Sequence, residues 1–524
     1  MNNGEKNKSP DIALAKQSLA LYKREKVGLE RRIEYEDAIW HRVYSSNSSS
    51  AWIFNSMVNK HADIIDNMPS CSCLPREERD EDYADKLSKI IPVIFDRIGF
   101  KQIYSDNAWD KLKHGTSVYG VFWNTALEDG LGDIDIKALN ISDIFWDMGV
   151  GDIQDSKNLF IVSYADISAL EARYGNFKYS ENREADIEMS AILGASNDLD
   201  GKCAVIDWYY KTYGYGGKST LHLCKFCGDT VLYSSESDAN CVGGWYGHGM
   251  YPIVFDRMYP CNDGACGFGI KSIASDAQDS INRLDENMLS YSDWSSRVRF
   301  WAKSSLGINE KEFLDLDRSI VEVEGDINEE KLRQIEISPM DDLVVECKRM
   351  KIDEIKEITG SRDVSQGGVT NGVTAASAIS ILREAGAKSS RDGIEESNRA
   401  FVKMVEFIIE LIGQFYTSDR IFRIVGEDGK ASYLRFSGKK LREDTDGYRP
   451  HFDIEINAAK KSPSEASEKN AFAKELYDSG AFKRENIKET LFMLELMDFD
   501  GVGKLKASLR REYGDGGDEA DDKR

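Results

Sequence analysis

Residues 375–417, AASAISILREAGAKSSRDGIEESNRAFVKMVEFIIELIGQFYT, read as one helix of 43 positions without a proline. At 1.5 Å per residue that is ~65 Å. Gly386 and Gly393 lie well inside it, and each costs about 1 kcal/mol relative to Ala. A kink is therefore expected in place of a straight rod. Upstream, Gly360 stops a helix that includes Ile355 and Ile358. The loop Ser361–Val373 between the two helices holds Gly367, Gly368 and Gly372, which reach positive φ freely. Thr374 is suited to cap the long helix. Nothing in Ile355–Phe415 is shaped for bond-making chemistry, and the stretch reads as mechanical.

A chain of 524 residues exceeds one compact core, so about three or four units are expected. The fold class expected is α+β, multi-domain. The net charge of −23 argues against tight, non-specific DNA binding through a basic face, which rests on Lys and Arg neutralising phosphates. It leaves room for a channel along which DNA slides. The polar start MNNGEKNKSP has no apolar core, so no signal peptide is expected. The apolar run Val405–Phe415 contains Glu406, Glu410 and Gln414, so no membrane partner is expected. Nine cysteines without a secretion signal point to free thiols.

Along the chain, helices are expected over 11–45, about 52–68, 81–97 and 101–112, with Pro92 kinking or splitting the third. Residues 69–75, bracketed by Pro69 and Pro75, read as a connection containing Cys71 and Cys73. SVYGVFW and DIDIKAL alternate as half-buried strands around a turn at Glu128–Gly132. Asp143–Asp152 reads as a loop, Leu159–Tyr164 as a strand, Ile167–Tyr174 as a short helix and 180–202 as a flexible loop. A second β region follows (CAVIDWYYKTYG, STLHLCKFCGDTVLYSS, YPIVFDRMYP). A helix from about Phe268 carries Ile270, Ile273, Ala277, Ile281, Leu284, Met288 and Tyr291 at near-heptad spacing. Residues 298–337 read as a small α/β insertion. A second helix then carries Leu343, Cys347, Met350, Glu354 and Ile358. After the long helix come a short β unit, a linker, C-terminal helices and an acidic tail with the composition of disorder.

The candidate chemistry is thin. Cys224 and Cys227, with His222 and Cys241 nearby, have part of a zinc spacing, yet LHLCKF followed by Gly228 reads as a plain hairpin. GYGGKST has Thr212 where a phosphate loop needs its first glycine. GACGFG reverses the dinucleotide pattern. DFDG at 498–501 would put Leu496 and Ala507 at the essential carboxylate positions of a calcium loop. Asp133/Asp135 with Lys137, and Asp143/Asp147, hint at a metal nuclease, but alternation with Ile134 and Ile136 reads as the solvated face of a strand. No nucleophile–base arrangement stands out. No catalytic residue, metal or cofactor is expected, and the chain is read as not an enzyme.

The order of helices, β region, helix, insertion, helix, Gly-rich loop and long helix resembles the portal (head-to-tail connector) proteins of tailed double-stranded DNA bacteriophages. NMPSCSCLPREERDEDYADKLSKI, HGTSVYGVFW followed by ISDIFWD, and ITGSRDVSQGGVTNGVTAASAI carry the resemblance. It spans about Ile53 to Tyr513. It implies a ring, usually of twelve subunits, at one capsid vertex of the virion, assembled in the host cytoplasm. Its regions would be a wing (1–267 and 375–460), stem helices (268–297 and 339–360), a clip (298–338), a tunnel loop (361–374) and a crown (461–513), followed by the tail 514–524. The partners implied are further copies of the chain, DNA passing without sequence specificity, the packaging ATPase (terminase), head-completion or neck proteins, and major capsid and scaffolding proteins.

By the same resemblance the tunnel-loop residues are Ser361, Arg362, Asp363, Gln366, Gly367, Gly368, Asn371 and Gly372. With Arg362 and Asp363 as its charges, this loop has little electrostatic grip on DNA. Lys348, Arg349, Lys351 and Lys356 are candidate DNA-facing stem residues, with solvated or inter-subunit positions as the alternative. Arg297, Arg299 and Lys303 are candidate motor contacts at the clip. A capsid shell or scaffold protein is the competing structural reading, and a packaging motor or nuclease the enzymatic one.

Overall fold

The computed structural model describes residues 10–45, 50–175, 177–194, 201–214, 219–241, 243–262, 264–296, 300–302, 332–334, 339–360, 376–425, 431–442, 449–457, 470–476, 490, 493, 494 and 497. Four helices open the chain: α1 (Ile12–Ser45), α2 (Trp52–Asp66), α3 (Glu81–Arg97) and α4 (Phe100–His114). α3 is not split at Pro92. On α2 the buried face is Ile53, Met57, Lys60 and Ile64. His61 lies off this buried face and stacks on Trp109, ring centroids 4.4 Å apart.

The connection expected at 69–75 is a strand, β1 (Ser70–Pro75). Its antiparallel partner, Phe452–Asn457, lies far along the chain, so no local pattern announces the pairing. Cys71 and Cys73 alternate inward and are buried.

Strand β2 (Thr116–Asn124) is central in a three-stranded sheet between β3 (Asp133–Leu139) and β9 (Ile253–Arg257). A five-stranded antiparallel sheet runs β4 (Ile144–Trp146), β5 (Asn158–Asp166), β6 (Lys202–Tyr213), β7 (Ser219–Cys227), β8 (Thr230–Ser234). β4 falls inside the expected loop at 143–152. Between β5 and β6 lie α5 (Ile167–Arg173) and α6 (Tyr179–Leu193). α6 corrects the flexible loop expected at 180–202. Its inner face is largely polar: Asn182, Asp186 and Ser190 are buried beside Met189 and Leu193. Asn182 accepts from Thr230 Oγ1 at 2.8 Å, and Asp186 accepts from the Ala204 amide at 3.2 Å. Tertiary hydrogen bonds satisfy these groups, so hydropathy alone does not reveal the helix.

After the two-residue strands β10 (Tyr259–Pro260) and β11 (Gly267–Phe268) comes α7 (Ile270–Ser296). The insertion contributes β12 (Phe300–Ala302), antiparallel to β13 (Leu332–Gln334); its expected helix lies outside the described residues. α8 (Asp342–Thr359) and the 40-residue α9 (Ala376–Phe415) follow. Then come β14 (Arg420–Val425), β15 (Ala431–Phe436), the short α10 (Lys439–Arg442) and β16 (Phe452–Asn457). Of the expected C-terminal helices, 470–476 is described in part as helix; the DFDG loop and the tail lie outside the described residues.

One large core joins α2, α3 and α4 to the three-stranded sheet and to Phe401, Met404, Val405, Ile408, Leu411 and Ile412 of α9. Burial of each such side chain is worth about 1.5–3 kcal/mol. A second core lies between α1, α6 and the five-stranded sheet. Among the described residues no helix is long and apolar enough to cross a membrane. The glycines of GACGFG answer a packing need. A Cβ on Gly267 would sit 2.3 Å from the Tyr259 carbonyl oxygen, and one on Gly269 would sit 2.7 Å from that of Leu112. Gly115, at φ +78°, caps α4 where the chain crosses Phe268.

Candidate functional site

α7 and α8, which flank the inserted strands in sequence, pack as an antiparallel pair. Ile355 of α8 meets Ala277 and Ile281 of α7, while further along α7 Asp285 takes an ion pair from Lys348. Asp285 also accepts from Ser50 Oγ at 2.8 Å. The fully buried Gln278 ties the pair to the start of α2. Its Nε2 donates to the Ser50 carbonyl at 2.7 Å and its Oε1 accepts from the Ile53 amide at 3.1 Å. Thr359, at the end of α8, meets Ser56 Oγ of α2 at 3.1 Å. The helix pair is thus rooted by buried polar groups with matched partners, which fix register more narrowly than apolar contact does. The upper part of the α7 seam (Ile270, Ala277, Ile281) is buried within the subunit. Leu343, Met350 and Ile358 of α8 are exposed, as are Leu289 and Trp294 of α7.

The long helix is held by two buried lysines, Lys60 and Lys111, whose partners Ser390 and Ser397 lie one heptad apart on it. Lys60 of α2 donates to Ser390 Oγ at 2.8 Å, and Ser390 donates to Asp63 at 2.6 Å. Lys111 of α4 reaches Asp256 Oδ1 at 2.5 Å, the Gly393 carbonyl at 2.7 Å and Ser397 Oγ at 2.7 Å. Ser397 completes the set by donating to Asp256 Oδ2 at 2.9 Å. Burial pushes the Asp256 carboxyl up, and the Lys111 ammonium beside it opposes that rise. α9 is unbroken across Gly386 and Gly393. At Gly393 the missing side chain serves a contact, since a Cβ would lie 2.8 Å from Met258 Sδ. This arrangement contains no group poised for bond-making. It is an elongated element bolted to a rigid body.

A family model described as "Phage P22-like portal protein" matches residues 60–215 and 217–523. The chain belongs to the P22-like phage portal protein family. It is a phage portal protein, the head–tail connector class that serves DNA packaging. No curated protein matches the chain.

In this portal protein the cations expected on the stem have intra-subunit neighbours. Lys348 pairs with Asp285, Lys351 with Glu354 at 2.6 Å and Arg349 with Glu346 at 4.0 Å. Lys356 lies over the Trp52 ring at 6.0 Å. The residues expected in a tunnel loop, Ser361, Arg362, Asp363, Gln366, Gly367, Gly368, Asn371 and Gly372, lie outside the described residues, as do Arg297, Arg299 and Lys303.

The side candidates resolve into structure. Cys224 and Cys227 are buried in different hydrophobic clusters, Cys224 beside Trp208 and Cys227 beside Cys203. Among the described residues no group of His, Cys, Asp or Glu has metal-holding geometry. Asp133 corrects the solvated-face reading. It is buried, accepts from Tyr416 Oη at 2.5 Å and lies 3.5 Å from Arg97. Sequence reasoning missed the buried lysines. Lys26 of α1 is a third, donating to the carbonyls of Ile141, Ser142 and Ile144 at 2.6, 2.9 and 2.7 Å. Burial lowers its pKa to about 7. The available signal was their placement in apolar helical stripes, as Lys60 sits between Met57 and Ile64.

Proposed function

We propose that the chain assembles into a closed ring, usually of twelve copies for this family, at one vertex of the capsid. Double-stranded DNA is packaged and ejected through its central hole without sequence specificity. The wing is 1–267 with 375–460, the stem 268–297 and 339–360, the clip 298–338, the tunnel loop 361–374 and the crown 461–513. The packaging ATPase docks at the clip, where Arg297, Arg299 and Lys303 are the contacts, and head-completion proteins follow it there. Major capsid and scaffolding proteins surround the ring. The chain carries no catalytic step itself. The tunnel loop hangs between α8 and α9, with Gly386 and Gly393 as the places where α9 bends.

The family match across nearly the whole chain carries this reading. The exposed apolar residues Leu343, Met350 and Ile358 on α8 support it, because a ring subunit needs a surface for its neighbour. Negative-stain microscopy with native mass measurement tests it. Twelve 59.0 kDa chains give 12 × 59.0 = 708 kDa and a particle with a central hole, with no ATP hydrolysis by the chain alone. Monomers at every concentration, or intrinsic ATPase activity, would end this reading.

A further inference from the structure

The β14–β15 hairpin stands apart from the rest of a strongly acidic chain. Among the described residues it is a two-stranded sheet with no third strand, and its strands RIFRIV and ASYLRF hold three arginines and no carboxylate. The inner face packs on the body. Phe422 and Phe436 enter the core, the Arg97 guanidinium lies over Phe422 at 5.2 Å, and Arg420 stacks on Tyr416 at 3.9 Å while donating to the Gly132 carbonyl at 2.8 Å. Among the described residues nothing covers the outer face. Register pairs Arg423 with Tyr433 and Ile421 with Arg435, so the two arginines lie diagonally across the ribbon on one side. All four are exposed, Ile421 at 56% and Tyr433 at 71%. Among the described residues neither Arg423 nor Arg435 has an ion-pair partner.

We infer that this face binds the sugar–phosphate backbone of double-stranded DNA, through Arg423 and Arg435 with Tyr433 between them. The inference rests on the portal reading for its partner, and the experiment separates the two. Guanidinium groups on a rigid ribbon suit phosphate oxygens, because the planar fork meets them with two hydrogen bonds and stays charged at any working pH. Tyrosine adds a hydroxyl able to reach a backbone oxygen. The net charge of −23 does not cancel such contacts, since exposed charges more than about 10 Å away are screened at ordinary ionic strength. One hairpin binds weakly. Many copies on one assembly act together through effective concentration. The contact is to backbone and therefore blind to sequence.

The test uses the full chain in its assembled form and a short fluorescein-labelled duplex of random sequence, titrated between about 50 and 200 mM salt. The unmodified assembly is expected to bind, with affinity falling steeply as salt rises. Arg423→Gln with Arg435→Gln is expected to weaken binding at least tenfold and to reduce the slope of log affinity against log salt by about 2 per engaged subunit. Tyr433→Ala is expected to weaken binding with less change in slope. Microscopy of the same samples shows whether particles with a central hole persist. Unchanged affinity and slope in the double variant overturn the inference and leave the portal reading intact. Absence of a ring in the unmodified protein overturns the portal reading instead. If the double variant keeps DNA binding but loses binding to an acidic capsid or neck protein, the face belongs to that protein and the DNA inference fails.

Discussion

Lys111 Nζ and Asp256 Oδ1 lie 2.5 Å apart with both side chains out of solvent. Their pairing joins α4, β9 and α9 at one point. The lysine's other two hydrogen bonds end on α9, at the Gly393 carbonyl and at Ser397. An element ~60 Å long at 1.5 Å per residue is thereby fixed to the body near its middle.

Removing one member of this set leaves a buried charge unpaired. Asp256→Ala is expected to cost about 3–5 kcal/mol, read as a lower urea midpoint. Lys111→Met combined with Asp256→Leu should cost less than either single change, because no charge is then stranded. A double variant as unstable as the sum of the single ones would show that the pair's geometry, and not its charge balance, matters.

Gly393→Ala and Gly386→Ala are expected to act in opposite directions. Alanine at Gly386 gains about 1 kcal/mol of helix propensity. At Gly393 the new Cβ would press on the buried Met258 sulfur, an overpacking cost of about 1–3 kcal/mol. Met258→Ala should relieve part of the Gly393→Ala loss, which thermal denaturation of the four members of a double-mutant cycle would reveal. The double glycine variant is also expected to impair DNA packaging. Normal packaging would make any bend of α9 incidental.

Acidification is expected to destabilise the fold between about pH 6.5 and pH 4. His248 is stacked between Tyr246 and Phe407, and its Nδ1 accepts from the Met250 amide at 3.0 Å. Burial, with Arg449 and Lys211 nearby, lowers its pKa to about 4. Burial and the neighbouring Lys271 depress His114 in the same direction. The unfolded chain takes up these protons near pH 6.5 while the folded chain resists until about pH 4, so the stability present at neutral pH is lost as pH falls through that window. His248→Phe should flatten the dependence of the urea midpoint on pH across this window.

Met350 is 63% exposed on α8. Met350→Asp should change subunit stability by no more than about 0.5 kcal/mol yet prevent ring closure if this face seats on a neighbour. Sedimentation of the variant beside a circular dichroism spectrum separates assembly from folding. Rings of unaltered mass would move the subunit contact elsewhere.

The sequence by itself determined the elements whose signal is local. The helix periods of 12–45, 81–97, 270–296 and 342–359, the alternation of β2 and β3, and the long proline-free run of α9 follow from spacing alone, because side-chain direction repeats every 3.6 or 2 residues. The order of those elements also carried the likeness to portal proteins. Only the tertiary structure decided which polar groups are inside. β1 became a strand because Phe452–Asn457 comes alongside it. α6 became a helix because Thr230 and the Ala204 amide satisfy its buried Asn182 and Asp186. Lys60 and Lys111 became bolts on α9 instead of surface charges. Burying such groups costs several kcal/mol unless a partner is placed to meet them, and those partners come from distant parts of the chain that only the folded arrangement brings together.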